Sequence, residues 1–174
     1  MKHRLLFLAA LVFLGLTDVS RAGDGNEIFT VYLVRHAEKA AESSEPGNPP
    51  LSFCGQLRAG AIATALGDIP LEKIYSTPYL RTMNTAQPSA ELHRLDIESY
   101  DPGDLEGFSK LLIGQGQDAL VVGHSNTTPV LAGLLAGQSL EAFEEDIYDR
   151  LYQVVISGSQ ARLSLLHQSF YCEP

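Results

Sequence analysis

The chain has 174 residues, 45% hydrophobic and 19% charged, with 15 Gly and 9 Pro, a balance that describes one globular domain and excludes disorder, collagen and coiled coil. Twelve Lys and Arg against 21 Asp and Glu give a formal charge of −9, the wrong sign for holding a nucleic-acid backbone by long-range attraction, so nucleic acid and anionic membrane surfaces are poor first choices as partners. Two cysteines cannot build a disulfide scaffold, and a chain near this size buries about 68–70% of its unfolded surface without one.

At the N-terminus, Lys2, His3 and Arg4 precede an apolar run from Leu5 to Leu16, and Thr17, Asp18 and Ser20 lead to Arg21 and Ala22. This is the outline of a secretory signal peptide cleaved after Ala22, its apolar run short of the about 20 residues that span a membrane. The expectation is a leader over residues 1–22, one domain over 23–174, a periplasmic or secreted product, and no stable membrane insertion after cleavage. Cys54 and Cys172 both lie in the mature part. In an oxidising compartment a bridge would tie the C-terminal tail to the first helix, while two buried thiols are the alternative.

Ile28 to Val34 is a short apolar, β-branched run that reads as a buried strand. A polar, Pro-rich loop follows from Ala40 to Pro50, then a helical pattern from Phe53 to Leu66 with Ser52 as N-cap. Lys73 to Ser76 is the next strand, and Thr77-Pro78 marks the start of a helix over Tyr79 to Leu92 that contains Pro88, an expected kink. A weaker strand spans Leu95 to Tyr100, a helix Leu105 to Ile113, and a second apolar strand Ala119 to Gly123. Thr128-Pro129 marks another helix start, an acidic cluster (Glu141, Glu144, Glu145, Asp146, Asp149) reads as a solvated face, and Arg150 to Ile156 and Arg162 to His167 flank Gly158-Ser159 as a hairpin. The prediction is an α/β three-layer sandwich with a mostly parallel central sheet and a C-terminal antiparallel hairpin.

Function is most legible in where the cations fall. Arg35 and His36 end the first strand, Arg81 opens the helix after the next, and His124 follows Gly123. In open α/β sheets the carboxyl edge of the strands forms the ligand crevice. Two guanidiniums and two imidazoles gathered there make an anion site, and guanidinium forks match phosphate oxygens. A cation in the first helical turn, such as Arg81, is opposed by the helix dipole unless an anion intervenes. His93 and His167 lie outside this pattern and read as structural.

Leu33-Val34-Arg35-His36-Ala37-Glu38-Lys39 resembles the strand-end Arg-His signature of the histidine phosphatase superfamily, whose fold is phosphoglycerate-mutase-like. Ile74 through Thr82 resembles the family's second arginine segment and Val121 through Ser125 its second histidine segment, in the same order. The resemblance implies that His36 is a nucleophile forming a phosphohistidine, with Arg35, Arg81 and His124 binding the phosphoryl oxygens. It also implies a small branch without a cap domain, since about 150 residues leave no room for one.

The proton donor is where the pattern stops. Ser125 follows His124, so the His-Asp pair of acid phosphatases is absent. Asp101, Asp104 and Glu106, after the weak strand, are the candidates, although Asp101-Pro102-Gly103-Asp104 is equally a turn signal. No cofactor and no metal site are expected. The expected partner is a phosphorylated small molecule or an exposed phosphorylated side chain, with a phosphohistidine phosphatase or a non-catalytic phosphate-binding module as alternatives.

Overall fold

A computed structural model describes residues 28–172; the leader and the proposed cleavage site lie outside the described residues. The elements are β1 (Ile28–Arg35), α1 (Phe53–Ala65), β2 (Lys73–Ser76), α2 (Leu80–His93), β3 (Ile97–Ser99), α3 (Leu105–Gln115), β4 (Ala119–Gly123), α4 (Thr128–Ala136), β5 (Arg150–Ser157) and β6 (Gln160–His167). The six strands form one sheet in the order β3-β2-β4-β1-β5-β6. β3, β2, β4 and β1 run parallel, and β5 and β6 add antiparallel at the β1 edge.

The central strands read as unbroken apolar runs because both of their faces are covered, as is general for parallel sheets. Side chains alternate across the sheet. Val31, Leu33, Ala119 and Val121 point to one face and pack with Phe108 and Leu112 of α3 and Leu131 and Leu135 of α4. Tyr32, Val34, Leu120 and Val122 point to the other and pack with Ile62 of α1 and Ala86 and Ala90 of α2. Each fully buried Val or Leu contributes roughly 1.5–3 kcal/mol of transfer free energy, and the alternation locks register, since a one-residue slip would exchange the two cores.

Most predicted boundaries hold within two residues. Ser52 caps α1, its hydroxyl accepting from Gly55 N at 3.1 Å. The strand predicted over Leu95 to Tyr100 shortens to Ile97–Ser99, at the sheet edge. The helix expected to open at Thr77-Pro78 starts at Leu80, with Tyr79 in the N-cap position and no side-chain cap, and continues through Pro88. The physical reason is that the Thr77 hydroxyl is engaged by Thr82 and His124. α4 likewise begins one residue before the predicted position, with Thr127 as the N-cap.

Cys54 and Cys172 form a disulfide, Cα to Cα 5.7 Å, across 118 residues of sequence. The tail it holds lays Phe170 against the Arg58 guanidinium, 4.6 Å from the ring centroid. Closing so long a loop restricts the unfolded chain, an effect of about 2–4 kcal/mol for typical bridges. Cys172→Ser should therefore lower the unfolding free energy by that amount in a urea titration, and a reductant should lower the wild type to the same value. A variant as stable as the oxidised wild type would show that the bridge contributes nothing.

Candidate active site

The parallel strands β1, β4 and β2 end at one edge of the sheet, and their carboxyl ends deliver Arg35 and His36, His124, and the Thr77–Arg81 segment to one place. There a cavity of about 390 Å³ is lined by Arg35, His36, Tyr79, Arg81, His124 and Glu145, among others. All four residues singled out from the sequence as the phosphate-binding constellation therefore share one crevice.

Backbone ties fix His36. Its N–H donates to Gly123 O at 2.9 Å, extending the β1–β4 ladder by one bond, and Ala37 N donates to Thr85 Oγ1 at 2.9 Å while the Thr85 hydroxyl donates to Arg81 O at 2.7 Å. Thr85 thus joins the His36 segment to the first turn of α2. Beyond it, Glu38 accepts from Arg58 Nε and Nη2 at 2.9 and 2.7 Å, a fork held by α1. Gly55 permits this approach: a Cβ there would run into the Glu38 backbone carbonyl. Gly123 is similarly constrained, since its Cβ would lie 2.7 Å from Tyr100 Oη and 2.9 Å from Thr128 Oγ1.

Hydrogen bonding selects the ring tautomers. His36 Nδ1 lies 2.8 Å from Ala37 O. A carbonyl only accepts, so Nδ1 carries the proton and Nε2 keeps its lone pair. The Thr82 hydroxyl donates to the Thr77 and Tyr79 carbonyls, and Thr77 donates to Thr82 Oγ1. With its proton committed, the Thr77 hydroxyl accepts from His124 Nε2 at 3.0 Å. The two rings sit 5.5 Å apart, edge to face.

Both imidazoles are held neutral. His36, 3% exposed, has its pKa pushed down to about 3, chiefly by desolvation, with the Ala37 carbonyl opposing and Arg35, His124 and Arg81 adding to the depression. His124 is pushed down to about 4 by desolvation, then by Arg81 and Arg35, with the Glu145 carboxylate opposing. Because each folded pKa lies below the unfolded value near 6.5, the unfolded chain takes up protons first as pH falls, and stability is lost from about pH 6.5 down to those depressed values. The buried His36 ring should by itself remove roughly 2 kcal/mol of unfolding free energy between pH 7 and pH 5, and His36→Asn should abolish that part of the slope. Equal pH slopes in urea titrations of wild type and variant would contradict a buried neutral His36.

The arginines are positioned without being neutralised. Arg35 lies under the Tyr148 ring, 4.1 Å to the centroid, and donates through Nη1 to Glu145 O at 2.6 Å and Ile147 O at 3.0 Å. Burial holds its pKa below the usual guanidinium value. Arg81 stacks on Tyr79 at 4.5 Å. Among the described residues, Arg35 Nε and Arg81 Nε are buried and lack hydrogen-bond partners. Buried guanidinium donors with no carboxylate partner are costly unless an anion completes them, and an anion with several oxygens fits two forks at once.

The carboxylates fall differently from the sequence expectation. Asp101 accepts from Gly103 N at 2.8 Å and Asp104 caps α3 through Gly107 N at 2.9 Å. Neither of them nor Glu106, in the first turn of α3, lines the crevice, although Pro102 and Gly103 do. The acidic cluster expected to be only a solvated face instead contributes Glu145 to the lining. Tyr148 is a further site contributor that motif reading did not single out, because the Arg35 contacts of its segment are to backbone carbonyls, which leave no signature in residue type. Thr77, expected only as a helix start, holds the His124 ring through its hydroxyl.

Residues 31–102 match the family model for the histidine phosphatase superfamily (branch 1). No curated protein sequence matches the chain. Among solved structures, the protein histidine phosphatase SixA complexed with tungstate superposes with a TM-score of 0.67 at 18% identity, covering 80% of this chain and 97% of that one. A mycobacterial glucosyl-3-phosphoglycerate phosphatase gives 0.65 at 13% identity, covering 82% and 100%. Phosphoglycerate mutase from Bacillus anthracis str. Sterne gives 0.55 at 16% identity, covering 83% and 95%. The sequence match over residues 31–102 is thus to the histidine phosphatase superfamily (branch 1), and the whole sheet shares its mixed α/β fold with these solved structures.

Proposed function

We propose that this chain is a phosphatase that transfers a phosphoryl group to His36 and releases it to water. The observation that carries the reading is the pairing of a neutral imidazole, its Nε2 lone pair free, with two guanidiniums in the same crevice, each with a buried Nε donor that lacks a partner. Nε2 attacks phosphorus as the ester oxygen departs, and Arg35, Arg81 and His124 stabilise the charge on the transferring oxygens. The bound dianion also draws His124 toward its protonated, doubly donating form.

Hydrolysis rather than retention of the phosphoryl group is supported by the open crevice, over which no cap domain lies among the described residues. A phosphoenzyme open to solvent admits water. The substrate is then a small phosphomonoester or a phosphorylated side chain. The likeness to SixA favours a phosphohistidine as a second substrate reading, because a phosphorylated nitrogen is a good leaving group and fits an open site. Export is part of the proposal: the leader-like residues 1–22 and the disulfide both suit an oxidising compartment.

The test uses the mature chain with a chromogenic phosphoester and, in parallel, a phosphohistidine peptide, with acid-labile phosphoenzyme trapped after rapid quench. Turnover with a labelled intermediate is expected. Tight phosphate binding without turnover on any substrate would instead identify a binding module.

A further inference from the structure

We infer that Glu145 is the catalytic proton donor to the leaving group. The inference rests on the phosphatase reading above and deepens it. Of the five acidic residues between Glu141 and Asp149, Glu145 alone lines the crevice, whereas Asp149 pairs with His167 at 2.8 Å. Among the described residues, no other carboxylate lines this cavity, and Asp101 and Asp104 are spent on a turn and a helix cap.

The position of Glu145 is built rather than incidental. Phe143 N donates to Ser125 O at 3.3 Å, next to His124, and Arg35 Nη1 grips the carbonyls of Glu145 and Ile147. The segment is thereby clamped on both sides of Glu145 to the residues that flank the phosphate site. The side chain itself is 77% exposed at the crevice mouth and joined to Lys39 Nζ at 3.4 Å. Its charge is felt at both Arg35 and His124, which places it within Coulomb range of the reacting phosphoryl group.

Arrival of a phosphate dianion puts a like charge beside this carboxylate, and a proton shared between them relieves the repulsion. Lys39 is then free to face the incoming oxygens. In the first step the Nε2 lone pair of His36 forms the P–N bond, the P–O bond breaks with its electron pair going to the leaving oxygen, and Glu145 delivers its proton to that oxygen, giving an alcohol. In the second step water forms a P–O bond while losing a proton to the Glu145 carboxylate, and the P–N electron pair returns to Nε2. Phosphate leaves and Glu145 is protonated again.

A proton donor matters in proportion to how poor the leaving group is. With Glu145→Gln, kcat/KM for an alkyl phosphomonoester should fall by roughly 100-fold to 1,000-fold, while that for p-nitrophenyl phosphate falls less than about 10-fold. The variant should also give a burst of one equivalent of nitrophenolate, since water attack on the phosphoenzyme loses its base. Glu145→Asp should recover part of the alkyl rate, and Glu144→Gln should change neither substrate. Equal losses on both substrates, or an unchanged alkyl rate, would overturn the assignment while leaving the phosphatase reading intact. Absence of turnover and of phosphoenzyme in the wild type would overturn both.

Discussion

His36→Ala is expected to lower kcat by roughly ten-thousand-fold or more, the scale on which enzymes respond to losing a nucleophile, and to leave no acid-labile phosphoenzyme after quench. The size follows from the tautomer. Ala37 O holds the Nδ1 proton at 2.8 Å, so Nε2 is the only nucleophilic nitrogen of the ring, and desolvation with flanking cations keeps it unprotonated far below neutrality. None of the flanking groups replaces it: Arg35 and Arg81 have no lone pair to offer, and the His124 ring is held through Nε2 by Thr77. His36 is buried, so a thermal melt must show the variant folded. Added imidazole, entering the space left by the side chain, should restore part of the rate. A folded variant that keeps a substantial fraction of wild-type turnover would remove His36 from the chemical step.

Arg81→Lys is the second large effect. The loss of transition-state stabilisation should be about 100-fold to 1,000-fold in kcat, equivalent to roughly 2.7–4 kcal/mol for one removed donor in a preorganised site. Charge is conserved in this substitution, so the effect isolates shape. A guanidinium presents a planar fork and stacks on the Tyr79 face at 4.5 Å, whereas an ammonium is a point charge on a flexible stem, more strongly hydrated and poorly suited to stacking. Thr85 holds the Arg81 backbone to the His36 segment in either case, so the scaffold should survive. Steady-state kinetics with a chromogenic ester reads the loss, and near-native kcat would mean that Arg81 contributes charge alone.

Much of the fold was legible because its signals are local. β1 and β4 are buried on both faces and so appear as apolar runs, Ser52 caps α1 as its position suggested, and Gly158 marks the β5–β6 turn with φ of 58°. Arg35, His36 and His124 were legible for a related reason: residues at strand ends inherit their position from the strand. Thr77 misled because a helix cap and a partner for an imidazole call for the same hydroxyl, and His124, 47 residues away in sequence, takes it. Glu145 was hidden more deeply. Its neighbours Glu144 and Asp146 look the same in composition, and the grip of Arg35 on main-chain carbonyls 110 and 112 residues distant sets which of them borders the crevice.

The direction of β1 fixes how the molecule can be tethered. Ile28 begins the strand and Arg35 ends it, and at about 3.3 Å per residue the two lie some 23 Å apart. Whatever is joined ahead of Ile28 is therefore attached at the far rim of the sheet from His36. A bead or fusion partner coupled at that rim would hold the molecule by its back, with the mouth of the crevice turned toward bulk solution.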